Sequence, residues 1–165
     1  MNERLFYKFN QKSLIRKEVL DYALTIKEWP RPKSFLGVLC PKEIYSKDPL
    51  LNRLSGIIPP QDSAFYIFKL PAKTYYAIHT DGVRKSALNM LLNDHSNSVS
   101  FFKNTNFEFW QCGITELKYE QDSWYLFNTQ NEHGVFNQGD DRYVISVQLD
   151  VSYQDALAFV KENNL

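Results

Sequence analysis

Three side chains in two short runs have the types and spacing to hold a metal ion. His79 and Asp81 stand two apart in Tyr75-Tyr76-Ala77-Ile78-His79-Thr80-Asp81-Gly82, His133 follows 52 residues after Asp81, and Arg142 lies nine beyond it. Two imidazoles and one carboxylate occupy one face of an octahedral ferrous ion and leave three positions open. An arginine near the last ligand supplies a fork that grips a carboxylate. Together they describe a metal site awaiting an acidic co-substrate.

Each member also has a plainer reading. On a strand, residues i and i+2 share a face, so His79 and Asp81 can reach one ion. They could equally be a strand-end histidine and a surface aspartate. Gly82 would let the chain leave the sheet without crowding the metal. His133 is either a loop histidine or the start of a strand that the turn Gln138–Asp141 folds back onto the strand from Arg142. A tight hairpin there puts His133, Val135 and Asn137 on one face with Arg142, Val144 and Ser146. An inward Arg142 needs an anionic partner, because burying an unpaired charge costs several kcal/mol. An outward Arg142 would pair with Asp140 or Asp141. Ser146 either helps hold the same anion or is a core-edge serine.

Two helices bracket the elements that must position these groups. Residues 13–28 carry apolar positions near helical spacing, with Ser13 as N-cap and Trp29-Pro30-Arg31-Pro32 as the stop. Ser152 and Asp155 form a capping pattern before the stripe Ala156, Leu157, Val160. Between them the pattern predicts nine strands: Phe35–Leu39, Ala64–Leu70, Thr74–Thr80, Ala87–Leu92, Val99–Phe102, Thr115–Tyr119, Trp124–Asn128, His133–Phe136 and Arg142–Leu149. Turns fall at Pro41, Pro59-Pro60, Pro71, Asn93–Asn97, Asn104–Asn106, Gln121-Asp122 and Gln138–Asp141. Short strands with regular turns indicate a sandwich or barrel, of which a jelly roll is one form. The expectation is a single domain over 1–165, with a helical part at about 1–33, a barrel at about 35–150 and a last helix at about 152–163.

Composition narrows the partners. The 165 residues are 44% hydrophobic and 15% aromatic, which argues against disorder and leans towards strands. Net charge is zero, so nucleic acid is not indicated. The stretch 1–33 holds eight Lys/Arg against four Asp/Glu and reads as a solvated helix face or a basic patch. No run approaches the ~20 apolar residues of a membrane span. Cys40 and Cys112 lack metal-ligand spacing, which suits a reducing, cytoplasmic compartment and leaves a disulfide between them open. Trp110, Trp124 and Tyr125 either line a substrate mouth or belong to the core, and His95 reads as a loop histidine.

From Ala64 to Leu149 the chain resembles the Fe(II)/2-oxoglutarate-dependent dioxygenase superfamily, closest to its compact prolyl-hydroxylase-like and aspartyl/asparaginyl-hydroxylase-like kinds. The matching pieces are His79-Thr80-Asp81-Gly82, Ala87–Leu92, Leu126–Thr129 leading to His133–Asn137, and Arg142–Ser146. The resemblance implies a double-stranded β-helix with Fe(II) on His79, Asp81 and His133 and the far carboxylate of 2-oxoglutarate on Arg142. It also implies O2 as oxidant and a polar co-substrate contact at Asn89, which otherwise is a strand-end asparagine. Aspartyl-hydroxylase-like members often lack the carboxylate ligand present here as Asp81, and Ser146 lies four positions after the arginine where some members place a serine at two. The implied activity is hydroxylation of a peptidyl or small-molecule C–H bond, releasing succinate and CO2. The loops Lys42–Gln61 and Lys103–Gly113 would select the substrate. The competing readings are a cupin-like metalloprotein without 2-oxoglutarate and a non-catalytic jelly-roll binding module.

Overall fold

The computed structural model describes residues 4–30, 36–93, 98–106 and 111–165 (104–106 and 111–112 by backbone alone), and their strands form two antiparallel sheets. The larger sheet runs β1 (Phe6–Lys12), β8 (Ser123–Phe127), β5 (Ser86–Leu91), β10 (Arg142–Leu149), β3 (Phe65–Leu70), β2 (Leu36–Leu39). The smaller runs β4 (Thr74–His79), β9 (His133–Asn137), β6 (Ser98–Asn106), β7 (Gln111–Leu117). This is the expected mainly β jelly roll, flanked by the helices α1 (Arg16–Thr25) and α4 (Tyr153–Glu162). Two short helices, α2 (Lys42–Tyr45) and α3 (Pro49–Arg53), complete the outer layer.

The period of two along β10 shows how the layers are built. Tyr143, Ile145, Val147 and Leu149 join Leu88, Met90, Trp124 and Leu126 in the main core, packed under the helices. Arg142, Val144, Ser146 and Gln148 point the other way and line a cavity between the sheets. The large sheet is therefore buried on both faces. A second cluster of Leu5, Phe6, Phe102, Leu117, Tyr125 and Phe127 fills one end of the space between the sheets.

Several expectations need correction. The N-terminal part is not simply helical: β1 opens the chain as an edge strand on β8. Its pairing is irregular between Lys8 and Lys12, so its buried Phe6 and Phe9 fall three apart and do not alternate. Asn104–Asn106 is strand, not turn, because β6 continues to Asn106 opposite Gln111. Strands β9 and β10 form no hairpin. They lie in opposite sheets, so His133 and Arg142 meet across the sandwich.

Ser13 does not cap α1, whose N-cap is Ile15. Its hydroxyl donates instead to the buried Asp48 at 2.5 Å. Asp48 accepts further bonds from Leu50 N, Leu51 N and Trp124 Nε1, tying the start of α3 to β8. The stretch Lys42–Gln61 is thus a packed wall with Leu50, Leu51 and Leu54 in the core, and none of its residues lines the cavity. Trp124 and Tyr125 are core residues too, while Trp110 and His95 lie outside the described residues. Cys40 is a free, buried thiol. Basic residues of the stretch 1–33 face acids, as in Arg16–Asp122 and Lys17–Asp21, which neutralises part of its surface. Among the described residues no helix is long and apolar enough to cross a membrane.

Candidate metal centre

His79 ends β4 and stands opposite His133, the first residue of β9. The β4–β9 register shifts between Tyr76 and His79, and the two imidazole rings come to 4.4 Å between centroids. Each ring is fixed by a backbone carbonyl two residues before it. His79 Nδ1 lies 2.7 Å from Ala77 O, and His133 Nδ1 lies 2.8 Å from Asn131 O. A nitrogen facing a carbonyl must carry the hydrogen, which leaves Nε2 of each ring as the lone-pair donor. His79 Nε2 is buried without a hydrogen bond, and Asp81 Oδ1, 3.4 Å away, is too poorly aligned to accept one.

Asp81 does not sit on the strand as i+2 spacing suggested. It lies in the turn after β4, where its N–H donates to Thr129 O at 2.9 Å. Nor does Gly82 meet a steric need, for a Cβ there would touch nothing within 4 Å. The glycine that close packing requires is Gly134, where a Cβ would meet Phe101 and the Tyr76 carbonyl at 3.0 Å. One ligand atom each from His79, Asp81 and His133 lies within 4.8 Å of the others. Two nitrogens and one oxygen with an unpartnered buried lone pair suit a divalent cation of the iron or manganese kind.

Electrostatics keeps the set ready. Burial would raise the Asp81 carboxyl, but the His79 side chain and Arg84 outweigh it and hold the pKa down to about 2. The neighbouring Asp81 carboxylate, 3.4 Å from Nε2, raises His79 above 6.5 against the opposing effect of burial, whereas burial lowers His133 below 6.5. The site therefore offers one permanent carboxylate and two imidazoles of unequal proton affinity.

Arg142 points inward. It is 2% exposed, and its two terminal nitrogens donate to Ser98 Oγ at 2.5 Å and Ser100 Oγ at 2.7 Å on the opposite sheet. Its guanidinium also sits 5.5 Å from the Tyr119 ring centroid. Burial lowers the proton affinity of Arg142 and pushes the Tyr119 phenol up to about 12. The outward alternative fails, because Asp141 pairs with Lys69 at 2.6 Å. Among the described residues no carboxylate pairs with Arg142. Ser100 stands opposite Val135, two residues along β9 from His133, so the guanidinium contacts begin about 7 Å from the His133 level.

The cavity holding both centres measures about 590 Å³. Asn89 and Ser146 face each other in register on β5 and β10, and both line its wall. Ser146 is bonded to Arg84 and lies about 13 Å along the strand from Arg142. Arg84 escaped the sequence reading, as did Ser98, Ser100 and Tyr119. An Asp-x-x-Arg spacing in a turn was the available signal for Arg84, and nothing in the sequence ranked it above other surface pairs.

No protein-family model and no characterised protein matches the chain by sequence. Among solved structures, a Trichoplax adhaerens prolyl hydroxylase in complex with a hypoxia inducible factor oxygen degradation domain peptide fragment superposes with a TM-score of 0.63. It is 15% identical over 93% of this chain and 86% of its own. A Pseudomonas putida prolyl-4-hydroxylase gives 0.61 at 10% identity, over 87% and 91%. A 2OG-Fe(II) oxygenase family oxidoreductase from Burkholderia pseudomallei, 9% identical, matches 52% of this chain and 42% of its own. Its TM-score of 0.43 is too low to bear on the fold. In fold, this chain is similar to these two prolyl hydroxylases.

Proposed function

We propose that the chain is an Fe(II)- and 2-oxoglutarate-dependent dioxygenase that hydroxylates a C–H bond of a peptidyl or small-molecule substrate. Bound ferrous iron, 2-oxoglutarate and O2 supply the oxidation: the diacid loses CO2, one oxygen atom enters the succinate formed, and the other enters the substrate. The protein's part is placement. His79 Nε2, Asp81 Oδ1 and His133 Nε2 would hold the ion, each imidazole locked by its carbonyl. Arg142 would grip the far carboxylate of the diacid. The amide of Asn89, which has no hydrogen-bond partner among the described residues, is available to its near end.

One observation carries this reading. Arg142 is a buried cation with hydroxyl partners and, among the described residues, no acid, and it stands across the cavity from three metal-type donors. A buried charge of this kind calls for an anion, and the far carboxylate of 2-oxoglutarate would supply one. A cupin-like metal site without 2-oxoglutarate, or a metal-free binding module, leaves it without a purpose. The rim is aromatic and apolar, with Tyr66, Tyr75, Tyr76 and Val83, which suits a peptide side chain or a compact apolar metabolite. The peptide held by the Trichoplax neighbour supports the peptidyl option.

The test is succinate formation after anaerobic loading with ferrous iron and 2-oxoglutarate, followed by O2. Wild type is expected to form succinate slowly even without substrate, Asp81→Ala none, and Arg142→Met only at much higher 2-oxoglutarate. Equal succinate from all three proteins would contradict the assignment.

A further inference from the structure

The residue after Val83 connects parts of the site that the ligands alone do not join. Arg84 donates from Nε to Asp81 Oδ2 at 2.7 Å and from one terminal nitrogen to Ser146 Oγ at 2.8 Å. Ser146 is 3% exposed and lies on β10, next to the centre of the large sheet. The backbone around Arg84 is tied down as well. Its carbonyl accepts from Thr129 Oγ1 at 2.6 Å and from Gln130 Nε2 at 2.9 Å. Gln130 Nε2 also reaches Asp81 O at 3.0 Å. The turn that bears Asp81 is thus bolted to the turn before His133, whose Asn131 carbonyl orients the His133 ring.

We propose that Arg84 is a positioning residue for the metal centre: it occupies Asp81 Oδ2, so that Asp81 ligates through Oδ1 alone. The inference rests on the proposed metal site. A carboxylate with one oxygen committed to a charge-assisted bond keeps a single direction of approach for the ion. A one-oxygen ligand leaves three positions open for a chelating co-substrate and O2; a two-oxygen grip would leave two. Ser146 acts through Arg84 by anchoring its far nitrogen to a rigid strand. This gives Ser146 a role at the metal end of the cavity and not beside Arg142.

Groups that orient a ligand are commonly worth about 10–100-fold in metal affinity. The test is anaerobic calorimetric titration of the metal-free protein with Mn(II), with the visible spectrum of the Co(II)-loaded protein as a readout of ligand geometry. Arg84→Met is expected to bind Mn(II) about 10–100-fold more weakly, with an altered Co(II) spectrum and a lowered metal-free melting temperature, since Asp81 loses its charged partner. Arg84→Lys, which keeps the charge but not the fork, falls between this variant and wild type. Ser146→Ala, which leaves Asp81 and Arg84 in place, is expected to weaken binding about threefold to tenfold, the worth of one hydrogen bond. Affinity within twofold of wild type and an unchanged Co(II) spectrum in Arg84→Met would overturn the proposal. If Arg84→Met fails to fold, wild-type affinity in Ser146→Ala overturns it. If wild type and Asp81→Ala alike fail to bind Mn(II), the metal site itself falls.

Discussion

Replacing Arg142 with methionine separates two explanations of a buried arginine. If a protein carboxylate neutralised it, removing the cation would strand an anion and cost about 3–5 kcal/mol. The structure instead surrounds it with Ser98, Ser100 and Tyr119, whose hydroxyls can turn to other partners. Loss of those bonds costs about 0.5–1.5 kcal/mol each. Relief of the desolvated charge returns about 1–4 kcal/mol. The net change should stay within about 1.5 kcal/mol, or about 5 °C for a chain of this size. Binding should respond quite differently. Two charge-assisted bonds to a carboxylate are worth about 3 kcal/mol or more, which weakens 2-oxoglutarate by about 150-fold. At 2-oxoglutarate one hundred times its wild-type Kd, Mn(II)-loaded wild type should gain about 2.7 kcal/mol, or about 8 °C. The variant should gain under about 1 °C at the same concentration. Pyruvate, which lacks the distal carboxylate, should do little for either protein. Thermal melts with and without the ligand read both effects. A melting temperature lowered by about 9–15 °C, or an undiminished response to 2-oxoglutarate, would refute the reasoning.

Three further outcomes follow from the same contacts. In the metal-free protein His133, held below 6.5 by burial, makes stability rise with pH up to 6.5; His79, raised by Asp81, makes it fall as pH climbs further. Melting temperature should therefore peak near pH 6.5, while Mn(II) affinity falls steadily with acidification because protons compete for His79; a monotonic melting profile would count against these assignments. Gly134→Ala should cost about 1–3 kcal/mol in urea unfolding and weaken Mn(II), since the added methyl meets Phe101 and the Tyr76 carbonyl beside His133; a neutral result would contradict the packing. Asp48→Ala removes the cap of α3 and strands Trp124 Nε1, so it should lower stability by about 3 kcal/mol, with Asp48→Asn milder because its amide oxygen still accepts; an Asp48→Ala protein as stable as wild type would contradict the cap.

The large sheet was legible because its strands bury both faces and carry dense β-branched and aromatic runs, as in Arg142–Leu149, whose bounds the reading matched. The C-terminal helix was legible through Ser152, which accepts from Asp155 N as its spacing implied. Strand β1 was hidden by its bulge, and α3 by its brevity, since five residues carry too little periodicity. Within the site, residue types and order pointed to His79, Asp81, His133 and Arg142, but the route by which they converge did not show. A hairpin was the simplest local guess for nine residues around a Gly-Asp-Asp turn. The chain instead crosses from one sheet to the other, a choice made by long-range pairing of β9 with β4 and β6. Ser98, Ser100, Tyr119 and Arg84 matter only through that pairing, so no local pattern could mark them.

The most direct measurement is an anaerobic crystal structure of the protein with Mn(II) and 2-oxoglutarate. The account predicts one ion on His79 Nε2, Asp81 Oδ1 and His133 Nε2, with the diacid chelating it and its far carboxylate on Arg142. An ion bound elsewhere, or an empty Arg142 fork with the diacid absent from the cavity, would contradict it.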